Sequence, residues 1–213
     1  MSEFIDAIRK GDAGRVRELV DRDPSLLARG DGPTPILLAL YNGQREIAAM
    51  LAERTPDRTV HEAAAMGDAD RVREMLTRDP SLVHTFSSDG YALLGFSTFF
   101  GQPAVDKVVL EFSPDLNAQA KNAQRVGAVH AAAAVQNHEI LRMLLERGAN
   151  PNAKQQSDYA PIHTAAGRGD VEMAKMLLQY GADLNACTAD GKTVADVARE
   201  HQHHEFVRWL ESQ

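Results

Sequence analysis

Gly148-Ala-Asn-Pro-Asn-Ala153 returns 33 positions later as Gly181-Ala-Asp-Leu-Asn-Ala186, and what precedes it returns as well. His130-Ala-Ala-Ala133 lies on His163-Thr-Ala-Ala166, and Leu144-Leu145 on Leu177-Leu178. Nearer the N-terminus, an offset of 56 lays residues 11–27, beginning Gly11-Asp-Ala-Gly-Arg-Val16, on residues 67–83, beginning Gly67-Asp-Ala-Asp-Arg-Val72, with 12 of the 17 pairs identical. Self-similarity at a fixed short period is the mark of an array, in which each unit buries its apolar face only against its neighbours. Within one unit, Ile162, Ala165 and Ala166 at i, i+3 and i+4 make one face of a first helix, and Met173, Leu177 and Leu178 the matching face of a second. Small residues on the first helix allow close approach, and each fully buried Leu supplies about 1.5–3 kcal/mol.

The segments Thr34-Pro35-Ile36-Leu37, Pro161-Ile162-His163-Thr-Ala-Ala166 and Gly181-Ala-Asp-Leu-Asn185 resemble the ankyrin repeat, and the whole chain is similar to a bacterial-type stand-alone ankyrin repeat domain. The resemblance implies an all-α fold, an α-solenoid of stacked helix-turn-helix repeats with short β-turn-like connections. The small residue inside each first helix serves as a ruler: Ala7, Ala39, Ala63, Ser97, Ala132, Ala165 and Ala198 mark about seven units. The expected divisions are an N-terminal cap at about 1–29, repeats at about 30–54, 55–86, 87–118, 119–153 and 154–186, and a C-terminal cap at about 187–213. The one short step falls at Thr55-Pro-Asp-Arg-Thr59 and removes a turn, not a helix. Gly11, Gly43, Gly67, Gly101 and Gly169 fall where one helix turns into the next, Gly148 and Gly181 follow second helices, and Asp-Gly at 31-32, 89-90 and 190-191 marks turns between units.

Composition narrows the function. Apolar residues make up 44% of the 213 and charged residues 25%, enough for a packed core. The balance of 23 Lys+Arg against 30 Asp+Glu, a formal −7, argues against nucleic acid or an anionic membrane as partner. The N-terminal residues have no basic stretch leading into an apolar run, and no uncharged apolar stretch approaches the roughly 18 residues of a membrane helix. The single Cys187 has no second thiol for a disulfide or a zinc site. The chain reads as cytoplasmic and, with polar outer faces on its end units, as a monomer.

Candidate chemistry is sparse. His61, His130 and His163 recur just before the Ala pair, where the resemblance implies hydrogen bonds between neighbouring units rather than catalysis; Leu37, Gly95 and Asp196 replace them in three units. His201 and His204 are three apart in the only histidine cluster, with His203 between them, but no third ligand is evident. His61-Glu62 and His138-Glu139 lack the second histidine of a zinc-protease helix, and Gly30-Asp-Gly-Pro-Thr-Pro35 lacks the lysine of a phosphate loop. Arg168-Gly169-Asp170 sits at the helix turn shared by the units. Acidic pairs such as Asp21/Asp23 and Asp68/Asp70 fall at turns and helix starts, where they cap free amides. No catalytic residue, cofactor or metal ligand is assigned.

The reading is a non-catalytic scaffold that binds a protein or peptide on its concave surface; a small enzyme or metal-dependent regulator built on the C-terminal histidines is the alternative. By the resemblance, the partner surface consists of turn tips and the inner ends of first helices. The two positions before each helix-turn glycine, or its replacement Gln136, are Arg9-Lys10, Tyr41-Asn42, Ala65-Met66, Phe99-Phe100, Ala134-Val135, Gly167-Arg168 and Glu200-His201. Aromatics are only 6% of the chain, yet Tyr91-Ala-Leu-Leu-Gly-Phe-Ser-Thr-Phe-Phe100 concentrates them in the fourth unit. Phe86 and Tyr91 are expected at or near the tip. Tyr41, Met66, Tyr91, Phe99, Phe100, Val135 and Tyr159 form the expected apolar stripe, with Arg9, Lys10, Lys154 and Arg168 beside it. The competing reading is that Phe96 and one of Phe99 or Phe100 fill space left by Gly95.

Overall fold

Each repeat folds as two short antiparallel helices because its glycine-punctuated halves are too short to be stable alone and gain their stability from the face they bury. The computed structural model describes residues 2–28 and 32–213. Asp31, the first residue of the expected 31-32 turn, lies outside them, as do Arg29 and Gly30 at the expected boundary between the first two units. The pairs are α1 (Ser2–Lys10) with α2 (Ala13–Arg22), α3 (Pro35–Tyr41) with α4 (Arg45–Glu53), and α5 (Val60–Met66) with α6 (Ala69–Arg78). They continue with α7 (Leu93–Phe99) and α8 (Pro103–Glu111), and α9 (Ala128–Ala134) and α10 (His138–Glu146). The last two are α11 (Pro161–Arg168) with α12 (Val171–Gln179) and α13 (Val194–Glu200) with α14 (His204–Leu210). Among the described residues the fold is all-α, an α-solenoid whose only β features are isolated bridges such as Phe86 to Ala92 and Cys187 to Thr193.

The helix starts follow the acidic and hydroxyl residues. Asp12, Asp68 and Asp170 cap α2, α6 and α12 by accepting from Arg15, Arg71 and Met173 N–H at 2.9, 3.1 and 2.9 Å. Thr59 and Glu62 form a reciprocal capping box on α5. Between the helices the chain turns through a left-handed residue. At Gly67 (φ 80°) a Cβ would also lie 2.5 Å from the Gln102 side chain, which donates to the Ala65 carbonyl at 3.0 Å. Gly169 (φ 65°) is pressed in the same way by His203, whose ring bonds the Gly167 carbonyl at 3.0 Å. In both cases a side chain of the following unit seats on the previous turn, and only glycine leaves the space.

First helices pack on first helices and second on second. From Val60 onward the buried side chains form one continuous core, including Val72, Leu93, Val109, Ile140, Leu144 and Phe206. Residues 4–52 form a separate core around Phe4, Ile8, Val16, Leu19, Ile47 and Leu51. The break falls at the shortened junction. A third cluster of Leu37, Ala65 and Phe96, with Tyr41, Tyr91 and Phe100 partly buried around it, spans the second, third and fourth units across that break. In the sixth unit Met176 is buried and Leu178 only half-buried, so Met176 takes the packed place expected of Leu178.

Candidate functional site

Two of the recurring histidines tie the start of their first helix to the loop that follows the second helix and leads into the next unit, rather than reaching a residue beyond the expected unit boundary. His130 accepts from Gly127 N–H through Nδ1 at 3.3 Å and places Nε2 2.8 Å from the Ala153 carbonyl; His163 does the same with Ala160 N–H (3.1 Å) and the Ala186 carbonyl (3.1 Å). Burial lowers both pKa values, the carbonyl partners offsetting it in part. His61 differs. Its ring packs edge-on against Phe96 at 5.5 Å, its buried Nε2 has no hydrogen-bond partner, and burial pushes its pKa down to about 4 against the weaker pull of the Thr85 backbone. At the C-terminus His203 is used by the Gly167 bond, while His201 and His204 are exposed. Among the described residues no three His, Cys, Asp or Glu side chains are arranged to hold a metal ion.

The structure divides the expected aromatic stripe. Phe96 is buried (1% exposed), and Phe100 and Tyr41 pack on it at ring-centroid distances of 5.0 and 6.5 Å. The Tyr41 hydroxyl donates to Asp89, and burial with that bond raises its pKa. Phe96 and Phe100 therefore pack toward Leu37, Ala65 and Tyr41 of the preceding units, whereas the missing Cβ of Gly95 would face the following unit, 3.4 Å from the Ala128 nitrogen. Ala65, expected on the inner face, is buried in the same cluster, and Met66 packs against the N-terminal core. Phe86 lines a different cleft of about 140 Å³ with Leu94, Pro114 and Ala118, under the Lys121 ammonium at 3.8 Å from its ring centroid. It stands apart from the stripe because it pairs with Ala92 at the base of its turn rather than at the tip.

What remains comes together. Tyr91, Val126 and Tyr159 each occupy the residue immediately before the N-cap of a first helix, the caps being Ala92, Gly127 and Ala160. With Phe99, from the far end of α7, they line an open cleft of about 420 Å³. Tyr91 and Phe99 stack, with centroids 6.3 Å apart and planes 19° apart, and Tyr159 leans on the His163 ring at 5.3 Å. Gln124, Gln155, Gln156 and Ser157 complete the wall. Phe99 (46%) and Val135 (39%), at the inner ends of adjacent first helices, are the large hydrophobics left exposed among the described residues. Arg168 reaches back to the Ala134 carbonyl at 3.1 Å, beside Val135 in the chain.

The cleft is built on a rigid row. Lys121 N–H bonds the Gly90 carbonyl (2.7 Å), Gln156 N–H the Gln124 carbonyl (2.9 Å), and Ala189 N–H the Ser157 carbonyl (2.8 Å), tying successive tips together. The polar wall residues were not singled out from the sequence. Counting backward from each first-helix start, rather than forward to the turn glycine, would have aligned Tyr91 with Val126 and Tyr159 and exposed their tips.

Behind the cleft helix lies one unusual buried carboxyl group. Asp106 on α8 faces Ser97 and Thr98 on α7, the pair that is Ala132-Ala133 and Ala165-Ala166 in later units. Its Oδ1 accepts from both hydroxyls, at 3.1 Å from Thr98, and its Oδ2 is buried with no partner. Burial pushes its pKa up to about 7, against the smaller effect of the two hydroxyls.

Paired helices, left-handed glycine turns and carbonyl-bridging histidines define an array of helix-pair repeats. Residues 129–213 match the family described as ankyrin repeats (3 copies), and the helix pairs that precede them repeat the same architecture. It is 35% identical over 122 residues to the ankyrin repeat and SAM domain-containing protein 6 of Rattus norvegicus; the match covers 56% of this chain and 11% of that protein. Ankyrin repeats are in general protein–protein interaction modules. No helix among the described residues is long and apolar enough to cross a membrane.

Proposed function

We propose that the chain is a non-catalytic scaffold that binds a protein or peptide partner along the inner ends of its first helices and the tips of units four to six. The supporting observation is the exposure of Phe99 in the wall of a cleft shared with Tyr91 and Tyr159 on a row of hydrogen-bonded tips, with Val135 exposed at the end of the adjacent first helix. Apolar anchors held on a rigid frame and rimmed by polar groups are where binding energy concentrates. A single exposed thiol, Cys187, and no nucleic-acid-like excess of positive charge fit a cytoplasmic, monomeric binder of other proteins.

The test is affinity capture with the wild-type chain and a Phe99→Ala/Tyr159→Ser variant, with circular dichroism and melting as controls on the fold. The reading expects partners that the wild type retains and the folded variant loses. Identical retention by both would remove this face from consideration.

A further inference from the structure

We propose that the Tyr91–Phe99–Tyr159 cleft takes an extended acidic peptide segment, with an apolar side chain seated between the rings and a neighbouring carboxylate paired by Arg125 and Lys154. This rests on the reading of the same face as the partner surface and adds the chemistry of what is bound.

The charge distribution carries the inference. In a chain of net charge −7, residues 116–138 contain no Asp or Glu and include Lys121 and Arg125. The acidic groups at the tips are already engaged. Asp89 accepts from Tyr41 and Ser87, Asp190 from Thr188, and Asp158 sits 3.8 Å from Arg125 and 3.7 Å from Lys154. Arg125 is half exposed and donates through one nitrogen to the Gln155 carbonyl at 3.0 Å, which leaves guanidinium donors facing solvent. Lys154 is similarly exposed. Two cations sharing one carboxylate beside a cleft lined by rings and amide side chains match a ligand that brings a second carboxylate.

Backbone conformation points the same way. In the fourth and seventh units the residue before the N′ position is Gly90 (φ 88°) or Gly191 (φ 81°). In the fifth and sixth units the same place is held by Arg125 (φ 51°) and Asp158 (φ 55°), with Ser157 (φ 59°) beside the latter. Side chains other than glycine are strained there; similar left-handed residues occur elsewhere at Ser113, Gln136 and Gln202, but at this place before a first helix they are found at the two tips beside the cleft. The Gln124 amide oxygen already accepts from the Tyr91 hydroxyl, while the amide side chains of Gln155 and Gln156 on the wall can meet both donors and acceptors of an extended backbone.

Short random peptides displayed on phage, selected against the intact chain, provide the probe; enriched sequences are then made as fluorescein-labelled peptides and titrated by anisotropy at low and high NaCl. The expected result is enrichment of Asp or Glu next to an aliphatic or aromatic residue and binding that weakens with salt. Arg125→Gly should weaken binding about fivefold, as for an exposed ion pair, while leaving the melting temperature unchanged or raised. Phe99→Ala should weaken it about thirtyfold, as for a hot-spot anchor. Selected peptides without acidic enrichment, no enrichment of any peptide, or affinity indifferent to Arg125→Gly would each overturn the acidic-peptide inference. The broader reading of this face fails separately, if capture of protein partners is indifferent to Phe99→Ala/Tyr159→Ser.

Discussion

Replacing Asp106 by Asn should change how stability depends on pH. In every other unit the residue equivalent to Asp106 is apolar, such as the buried Val72, Leu141 and Ala174. Here a carboxyl group is buried against Ser97 and Thr98, and its pKa rises from an ordinary 3.8 to about 7. The folded state therefore holds a proton that the unfolded chain has released, so stability falls as pH rises from about 4 to about 7 and is flat above that. At about 1.4 kcal/mol for each pH unit, the full effect is on the order of 4 kcal/mol. No charged neighbour contributes to the shift, so the effect belongs to burial. His61 works in the opposite sense. Its pKa falls to about 4, the unfolded chain protonates first, and stability is lost as pH drops below about 6.5.

The wild-type profile alone therefore hides both effects, and the informative quantity is the difference between the wild type and Asp106→Asn. Asn keeps the shape and can accept from Ser97 and Thr98, but its amide leaves an unmet donor where Oδ2 lies, a constant cost of about 1–3 kcal/mol. Urea unfolding followed by circular dichroism at a series of pH values gives the difference directly. Relative to wild type, the variant should gain stability steadily between about pH 4 and pH 7 and then run parallel to it. A Ser97→Ala/Asp106→Val variant, which rebuilds the pairing of Ala63 with Val72, should be more stable than wild type above pH 7. A pH-independent difference between Asp106→Asn and wild type would refute the assignment of a buried, proton-holding carboxyl.

Phe96→Ala should cost about 3–5 kcal/mol, because it empties the cluster that spans the break between the two cores, whereas Phe99→Ala should cost under about 1 kcal/mol; comparable urea midpoints would contradict the division of the aromatics into buried and exposed. His61→Leu, which copies Leu37 of the second unit, should be close to neutral above pH 7 and should flatten the loss of stability below about pH 6.5, since the histidine Nε2 has no partner to lose. His130→Ala should cost about 1–3 kcal/mol through the orphaned Ala153 carbonyl and Gly127 N–H, and a loss smaller than that of a surface substitution would deny the histidine its bridging role.

The repeat architecture was legible because it is written in residues that answer to backbone geometry. Gly67 and Gly169 must be left-handed and must leave room for a side chain of the next unit, and Asp68 and Asp170 must cap a helix; such demands fix residue type at a fixed spacing. The aromatics of the fourth unit obey no such rule, since a ring at the end of a first helix faces solvent or core according to what its neighbours omit. Phe100 turned inward because the shortened junction at 55–59 leaves the third unit without a projecting tip, and Phe96 and Tyr41 close the gap between the two cores. Phe99 stayed outward because the helical turn separates it from that gap and stacks it on Tyr91. The deletion and the aromatic cluster, separate observations in the sequence, are thus one structural event. The exposed cleft begins where the full-length tips resume, at Tyr91, Val126 and Tyr159. Lengthening the 55–59 junction to a full tip would give the third unit its own projecting residue, relieve Phe96 of its bridging role, and make Phe96→Ala less costly than in the parent chain; an unchanged cost would sever the link between deletion and cluster.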